Sequence, residues 1–169
     1  WSSDVCSSDL VFAIVVGFVF TAAAQTPLSK LDGGLVDIQS QKGKVVILAV
    51  GASWLPLSNK QAEYTNLLAK KYAGKNVVIY FVVTDSTNSK SKNFAADEAV
   101  RKFATANKLN MSILRDSDGA VVLKKFKVDQ VPSFLILDKN GNQSGEAFGG
   151  IDPKFDITVP ISKKIDSLL

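Results

Sequence analysis

Residues 51–58, Gly-Ala-Ser-Trp-Leu-Pro-Leu-Ser, form the stretch where the chemistry of this chain would be expected to concentrate. Ser58 offers a hydroxyl there, whereas Leu55 has no ionisable atom. A serine nucleophile needs a neighbouring base, and the sequence contains no histidine to act as one. We therefore expect the Ser58 hydroxyl to meet a free backbone N–H in the first turn of the following helix.

Sulfur chemistry is also restricted, because Cys6 is the single cysteine of the chain. Residues 1–10, WSSDVCSSDL, resemble the conceptual translation of a sequencing adapter; an ordinary polar N-terminal extension is the alternative. In the first case residues 25–169 can form no disulfide and run no thiol chemistry of their own. Without histidine or cysteine the usual metal clusters are excluded as well. We expect no catalytic residue, no metal site and no cofactor.

The segments on either side of residues 51–58 would place them at the edge of a sheet. The apolar run Val45–Val50 predicts a buried strand, and residues 57–72 have the apolar spacing of an amphipathic helix. Pro56 suits the first helical position. That start makes Leu55 the N-cap, for which leucine is a poor residue. The stretch is thus a strand-to-helix turn at the carboxyl edge of an α/β sheet, where ligands usually bind.

The rest of the chain alternates strands with helices. Strands are predicted at 35–38, 76–83 and 111–114, with a returning edge strand at 143–148 after a hairpin turn at 139–141. Helices are predicted at 95–107, 120–126 and 155–168, and residues 84–93 form a polar loop that we expect to be mobile. This order predicts an α/β fold with a central mixed β-sheet flanked by helices.

Two segments resemble the thioredoxin-like superfamily, in particular its TlpA/ResA-type and redoxin (AhpC/TSA-like) branches. The turn keeps the frame of the family motif Trp-Cys-x-x-Cys, with Leu55 and Ser58 at the two cysteine positions. Residues 128–138 contain Val131-Pro132 and resemble the family segment whose proline is cis. The stretch from Asp32 to Leu48 is similar to the N-terminal β-hairpin and first core strand of these domains. The resemblance covers about residues 26–169 and implies a thioredoxin-like fold preceded by a hairpin.

The resemblance implies a function from which the sequence departs. Thiol-disulfide exchange needs an attacking thiolate and a second thiol, and both family cysteines are replaced here. One interpretation is a redox-inactive binding or scaffold module. The alternative is a thiol-disulfide oxidoreductase or antioxidant family member that acts only with a partner's thiols.

The resemblance implies that the turn after the first core strand lies beside the segment with the cis proline. In the family, this edge of the sheet offers backbone groups to an extended peptide or protein partner. The residues of that edge are Trp54, Leu55, Pro56, Leu57, Val131 and Pro132. Two arrangements of Leu55 remain open. Its side chain either belongs to an exposed apolar lip or turns inward to fill the space left by the sulfur atoms.

Residues 11–24 form an apolar run that ends in Ala22-Ala23-Ala24, which predicts the remnant of a secretory signal peptide with Gln25 as the mature start. An uncleaved N-terminal anchor is the alternative. The domain is then residues 25–169, periplasmic or secreted, with no stable membrane insertion after cleavage. Its lysines are scattered and not interleaved with aromatic residues, which is typical of a solvated surface and not of a nucleic-acid-binding face.

Overall fold

The computed structural model describes residues 27–169. The predictions for residues 1–10 and 11–24 lie outside this range and stay predictions. Within the described range, no helix has both the length and the apolar composition that crossing a bilayer requires.

Six strands and four helices follow one another along the described chain. The strands are β1 Pro27–Lys30, β2 Leu35–Asp37, β3 Val45–Gly51, β4 Val77–Val83, β5 Ile113–Arg115 and β6 Ser133–Leu137. The helices are α1 Pro56–Lys71, α2 Asp97–Ala106, α3 Val122–Lys125 and α4 Thr158–Asp166, with a 3₁₀ turn at Ser117–Gly119.

The strands form one mixed sheet in the order β2-β1-β5-β4-β3-β6. β3 pairs in parallel with β4, and β4 with β5, whereas β6 runs antiparallel to β3. The N-terminal strands β1 and β2 form an antiparallel hairpin that joins the sheet through β5. These pairings confirm both the mixed sheet and the hairpin predicted from the sequence.

The core lies on both faces of β3, all of whose residues are buried. Ile47 and Ala49 face the layer of α1, α2 and α4, and Val46 and Leu48 face the layer that contains α3. A central strand covered on both faces needs apolar residues at every position. This requirement explains why β3 appears in the sequence as an uninterrupted apolar run.

Helix α1 begins as predicted, with Pro56 at its first position and Leu55 as an N-cap in the extended region (φ −82°, ψ 123°). The Leu55 side chain supplies no capping hydrogen bond. Because proline has no N–H, it removes one donor that the first turn would otherwise leave unpaired.

Two C-terminal predictions need correction. The predicted edge strand 143–148 is wrong: the segment forms only the isolated bridges Leu137–Gln143 and Phe134–Phe148 beside β6. Gly145 lies between them at φ +85°, a left-handed conformation that interrupts a strand. The last helix is also shorter than 155–168, since it runs from Thr158 to Asp166 with Ile157 as its N-cap. The Asp156 carboxylate accepts the N–H and the hydroxyl of Thr158, a local turn that occupies the residues just before the helix.

Candidate functional site

The turn between β3 and α1 lies beside the segment that precedes β6. Val50 and Ser133 are the last register pair of the antiparallel β3–β6 ladder at this edge. The peptide bond between Val131 and Pro132 is cis, as the family resemblance implied. Antiparallel pairing of these two strands therefore brings both motifs found in the sequence to one end of the sheet.

A cleft of about 300 Å³ opens at this edge. Trp54, Leu55, Leu123 and Val131 supply its apolar wall, and its polar lining comes from Thr84, Asn93 and Asp118. Trp54 is 55% exposed, and Leu55 and Val131 are half-buried. The structure thus joins three of the six partner-binding residues named from the sequence in a single cleft.

The other three residues named for the edge lie elsewhere around it. Pro56 and Leu57 line a separate groove beside the C-terminal end of α2, together with Asn107. Pro132 is buried under the edge. Leu55 takes a position between its two predicted arrangements, since it is half-buried and still lines the cleft.

Asp85 holds the turn in place, and sequence reasoning did not identify it. Its buried carboxylate accepts the Ser53 backbone N–H at 2.8 Å and the Ser53 hydroxyl at 2.6 Å. Hydrogen bonds to a charged acceptor are among the stronger ones in proteins. One signal was available: Asp85 comes two residues after the end of β4, a parallel neighbour of β3, and so reaches the same sheet edge.

Ser58 occupies one of the two family cysteine positions and is fully buried. Its Oγ accepts the backbone N–H of Ala52 at 3.2 Å. The expectation that it would bond an N–H of the first helical turn is therefore wrong, because the side chain points back to the end of β3. This bond closes the turn on itself.

Gln61, one turn further along α1, links the same elements from within the core. Its side-chain NH₂ group donates to the carbonyl oxygens of Val50, at 3.1 Å, and Ser133, at 2.7 Å. The residue is fully buried. Its position in an amphipathic helix gave no sign of this role, because glutamine is ordinarily a surface residue.

Substituting Gly51 by alanine is expected to destabilise the protein by about 1–3 kcal/mol. A Cβ atom at this buried position would stand 2.5 Å from Gln61 Oε1 and 3.1 Å from both Phe81 Cζ and Ser58 Oγ. Urea unfolding of the variant measures the loss. In a Gln61→Ala background the same substitution should cost less, since the clashing oxygen is gone. Equal costs in both backgrounds would contradict the proposed clash.

Asp116 comes directly after strand β5 and holds α3, the helix that carries the cleft residue Leu123. Its nearly buried carboxylate accepts the backbone N–H groups of Val121, at 2.9 Å, and Val122, at 2.7 Å, and so fixes the start of α3. Burial raises the pKa of Asp116 above its ordinary value, against the lowering effect of these N–H donors and of Lys124.

This raised pKa predicts an unusual pH dependence for a carboxylate. A raised pKa means that the folded protein binds the proton more tightly than the unfolded chain, so the contribution of Asp116 to stability is present below pH ~3.9 and is lost as pH rises through the folded pKa. The unfolding free energy of the wild type minus that of Asp116→Asn should therefore be larger at pH 3 than at pH 7, which lie below and above the ordinary aspartate pKa of ~3.9. If this difference in unfolding free energy is larger at pH 7 than at pH 3, the prediction is wrong.

The AhpC/TSA family matches residues 19–142, which is more than half of the chain. The thiol-disulfide oxidoreductase ResA of Bacillus thuringiensis subsp. konkukian is 28% identical over 122 residues. The aligned part is 72% of this chain and 65% of ResA, so the chain spans less than two thirds of the length of that relative.

Solved structures show the same architecture. The exposed lipoprotein thioredoxin of Streptococcus pneumoniae strain TIGR4 has a TM-score of 0.68 and 26% identity, over 86% of this chain and 100% of that one. A secreted Mycobacterium tuberculosis disulfide oxidoreductase homologous to E. coli DsbE has a TM-score of 0.65 and 22% identity, over 85% and 96% of the two chains. The fold is therefore thioredoxin-like, as the resemblance implied.

Proposed function

Because this chain belongs to the AhpC/TSA family, we propose that it is a thioredoxin-like module that binds an extended segment of a partner and has no redox activity of its own. One observation carries the proposal. The two positions of the turn where the family resemblance places cysteines hold Leu55, which lines the cleft, and Ser58, whose buried Oγ accepts the Ala52 N–H. Neither can form the thiolate that exchange requires.

The shape of the edge supports a binding role. Trp54 stands 55% exposed beside the apolar wall of the cleft, and tryptophan is enriched among the residues that dominate binding energy at interfaces. Val131 lies just beyond the last pair of the β3–β6 ladder, where a backbone can pair with an added extended segment. The cleft would take an apolar side chain of that segment, and Asp118 would take a hydrogen-bond donor.

The buried supports beneath the turn also favour binding. Asp85, Ser58 and Gln61 fix the turn from three directions, through Ser53, Ala52 and Val50 respectively. A site that is already ordered loses less conformational entropy when a partner binds. The bonds of Asp85 and Gln61 do not involve Leu55 or Ser58, so these two supports do not depend on which residues occupy the family cysteine positions.

A disulfide-reduction assay tests the absence of redox activity. The purified wild-type protein should reduce insulin with dithiothreitol no faster than dithiothreitol alone does. Any rate proportional to protein concentration would contradict the proposal.

The similarity to ResA favours a second candidate, a family member that acts only with a partner's thiols. The same assay with reduced glutathione as the added thiol separates the two. A rate that requires both glutathione and the protein supports the second candidate and counts against the first.

We also propose that the protein is exported, as residues 11–24 suggest. Two similar structures are described as secreted and as an exposed lipoprotein, which supports this location. Expression of the full chain in a bacterium with a periplasm, followed by N-terminal sequencing of the periplasmic protein, should show a start at Gln25. Recovery of uncleaved protein from the cytoplasm alone would contradict export.

A further inference from the structure

A second groove runs between α1 and α4, on the surface of the helical layer. Its volume is about 530 Å³. The groove is lined by Leu67, Leu68, Lys71, Thr158, Val159, Ser162, Lys163 and Asp166. We propose that it is the docking site for an acidic, amphipathic helix of a partner protein. None of its lining residues belongs to the cleft beside Trp54.

Helices α1 and α4 lie side by side, and each has an apolar residue followed one turn later by a lysine. Tyr64 of α1 donates to the carbonyl of Phe155 just before α4, and Tyr72 at the end of α1 bonds residues in the second half of α4. The helices therefore run parallel. Along α1, Leu67 is followed one turn later by Lys71; along α4, Val159 is followed one turn later by Lys163. The groove consequently has an apolar half and a basic half.

The side chains of the apolar half are exposed to solvent and are not part of the hydrophobic core. Leu67 is 49% exposed and Val159 is 65% exposed, whereas Leu68 and Ile161 already fill the interior beneath them. A surface helix normally carries polar residues on its outer face. Contiguous exposed apolar side chains with a polar rim are the usual mark of an interaction site.

The basic half is formed by Lys71 and Lys163. The ion pairs of residues 27–169 lie elsewhere and involve neither Lys71 nor Lys163. Asp166, the carboxylate among the residues that line the groove, accepts the Tyr72 hydroxyl at 2.8 Å. Two lysines and one carboxylate leave the groove with a net positive charge, which a partner with aspartate or glutamate complements.

Charge and shape select this occupant over two others. A second copy docking through the same groove would offer only the Asp166 carboxylate to Lys71 and Lys163, so it lacks charge complementarity. A bilayer presents a broad interface and would leave the space between the helices unfilled. A helix fits, because its side-chain ridges pack into the groove between two neighbouring helices. Its apolar residues would contact Leu67 and Val159, and its acidic residues would lie one turn further on.

The groove is preformed, which favours binding of a short segment. The Tyr72 hydroxyl contacts both the Ser162 carbonyl oxygen, at 3.1 Å, and Asp166, and thereby joins the two helices. At the other end of the groove, the Tyr64 hydroxyl donates to the Phe155 carbonyl oxygen at 3.0 Å and also links the two helical segments. A fixed surface reduces the entropic cost that docking must overcome.

A synthetic amphipathic helical peptide, with leucines on one face and glutamates beside them, serves as the probe. Calorimetric titration should show binding to the purified protein that weakens as salt rises. The variant Lys71→Glu with Lys163→Glu should bind at least ~10-fold more weakly, since it reverses two facing charges. Lys44→Glu with Lys92→Glu is the control, because it makes the same change in net charge at exposed lysines elsewhere.

Amide chemical shifts locate the peptide. We expect changes at residues 67–71 and 158–166, and Trp54 fluorescence should stay constant, so a failure here leaves the proposed function of the other edge untouched. Three results would overturn the proposal: no binding by the acidic peptide at low salt, equal losses in the two charge-reversal variants, or equal binding of a peptide with glutamine in place of glutamate. Binding to phosphatidylglycerol vesicles without binding to the peptide would overturn it too.

Discussion

Replacing Leu55 and Ser58 together by cysteine is expected to give this protein a disulfide-reducing activity that the wild-type chain lacks. Position 55 is the N-cap of α1, where a thiolate meets the partial positive charge of the helix N-terminus. A thiol there should have a pKa below ~8.5, the value of free cysteine, and so be reactive at neutral pH. Insulin reduction should exceed the rate with dithiothreitol alone by at least about tenfold, as a reactive thiolate permits.

The single variants and a displaced pair are the controls. Leu55→Cys alone should trap mixed disulfides with its substrates, since no second thiol resolves them. Leu67→Cys with Lys70→Cys has the same spacing on the same helix but lies far from its N-terminus, and should stay inactive. If the double variant at positions 55 and 58 folds, forms its disulfide and still does not reduce insulin, the edge has lost its substrate geometry.

Removing the Asp85 carboxylate should be the most damaging single change at the site. Asp85→Ala is expected to destabilise the protein by about 2–4 kcal/mol, because two charge-assisted hydrogen bonds are lost and a buried cavity is left. The carboxylate is fully buried, and both of its bonds go to Ser53. The turn carrying Trp54 should also become mobile. Denaturant unfolding and amide exchange at residues 52–55 measure the two effects.

Three further variants separate the contributions. Ser53→Ala removes only the hydroxyl bond and should cost about 1 kcal/mol. Asp85→Asn keeps the shape of the side chain but loses its charge. Its loss of unfolding free energy should therefore lie between the losses in Ser53→Ala and Asp85→Ala. Asp118→Asn removes the charge of a nearby exposed carboxylate that accepts the Ser86 hydroxyl, and asparagine tolerates the positive φ of this residue (57°), so the effect should be small. A loss of unfolding free energy in Asp85→Ala that is no greater than the loss in Asp118→Asn would contradict the anchoring role.

The elements that could be predicted from the sequence are those whose own residues determine them. β3 and β4 are apolar runs that only a buried strand explains, and the start of α1 follows from the conformation of Pro56. The turn between β3 and α1, and its position beside Val131, followed from these strands and from the family resemblance. The same reasoning placed Trp54, Leu55 and Val131 together, and the structure has all three in the cleft.

What could not be predicted depends on contacts between distant segments. Asp85 and Gln61 support the turn through partners more than ten residues away, and their polar side chains suggested a loop and a surface. The segment 143–148 has strand-like residues, yet Gly145 adopts a conformation that ends the pairing. Ser58 was assigned to the wrong backbone donor because the direction of its side chain depends on how α1 meets β3.

The central claim, that the edge binds without sulfur chemistry, is most directly tested by selecting peptides from a display library that contains members with and without cysteine. We predict enrichment of cysteine-free peptides whose binding is lost in Trp54→Ala, kept in the control Leu67→Ala, and unchanged by dithiothreitol. Enrichment of only cysteine-containing peptides, with binding abolished by dithiothreitol, or the absence of any binder that depends on Trp54, would contradict the claim.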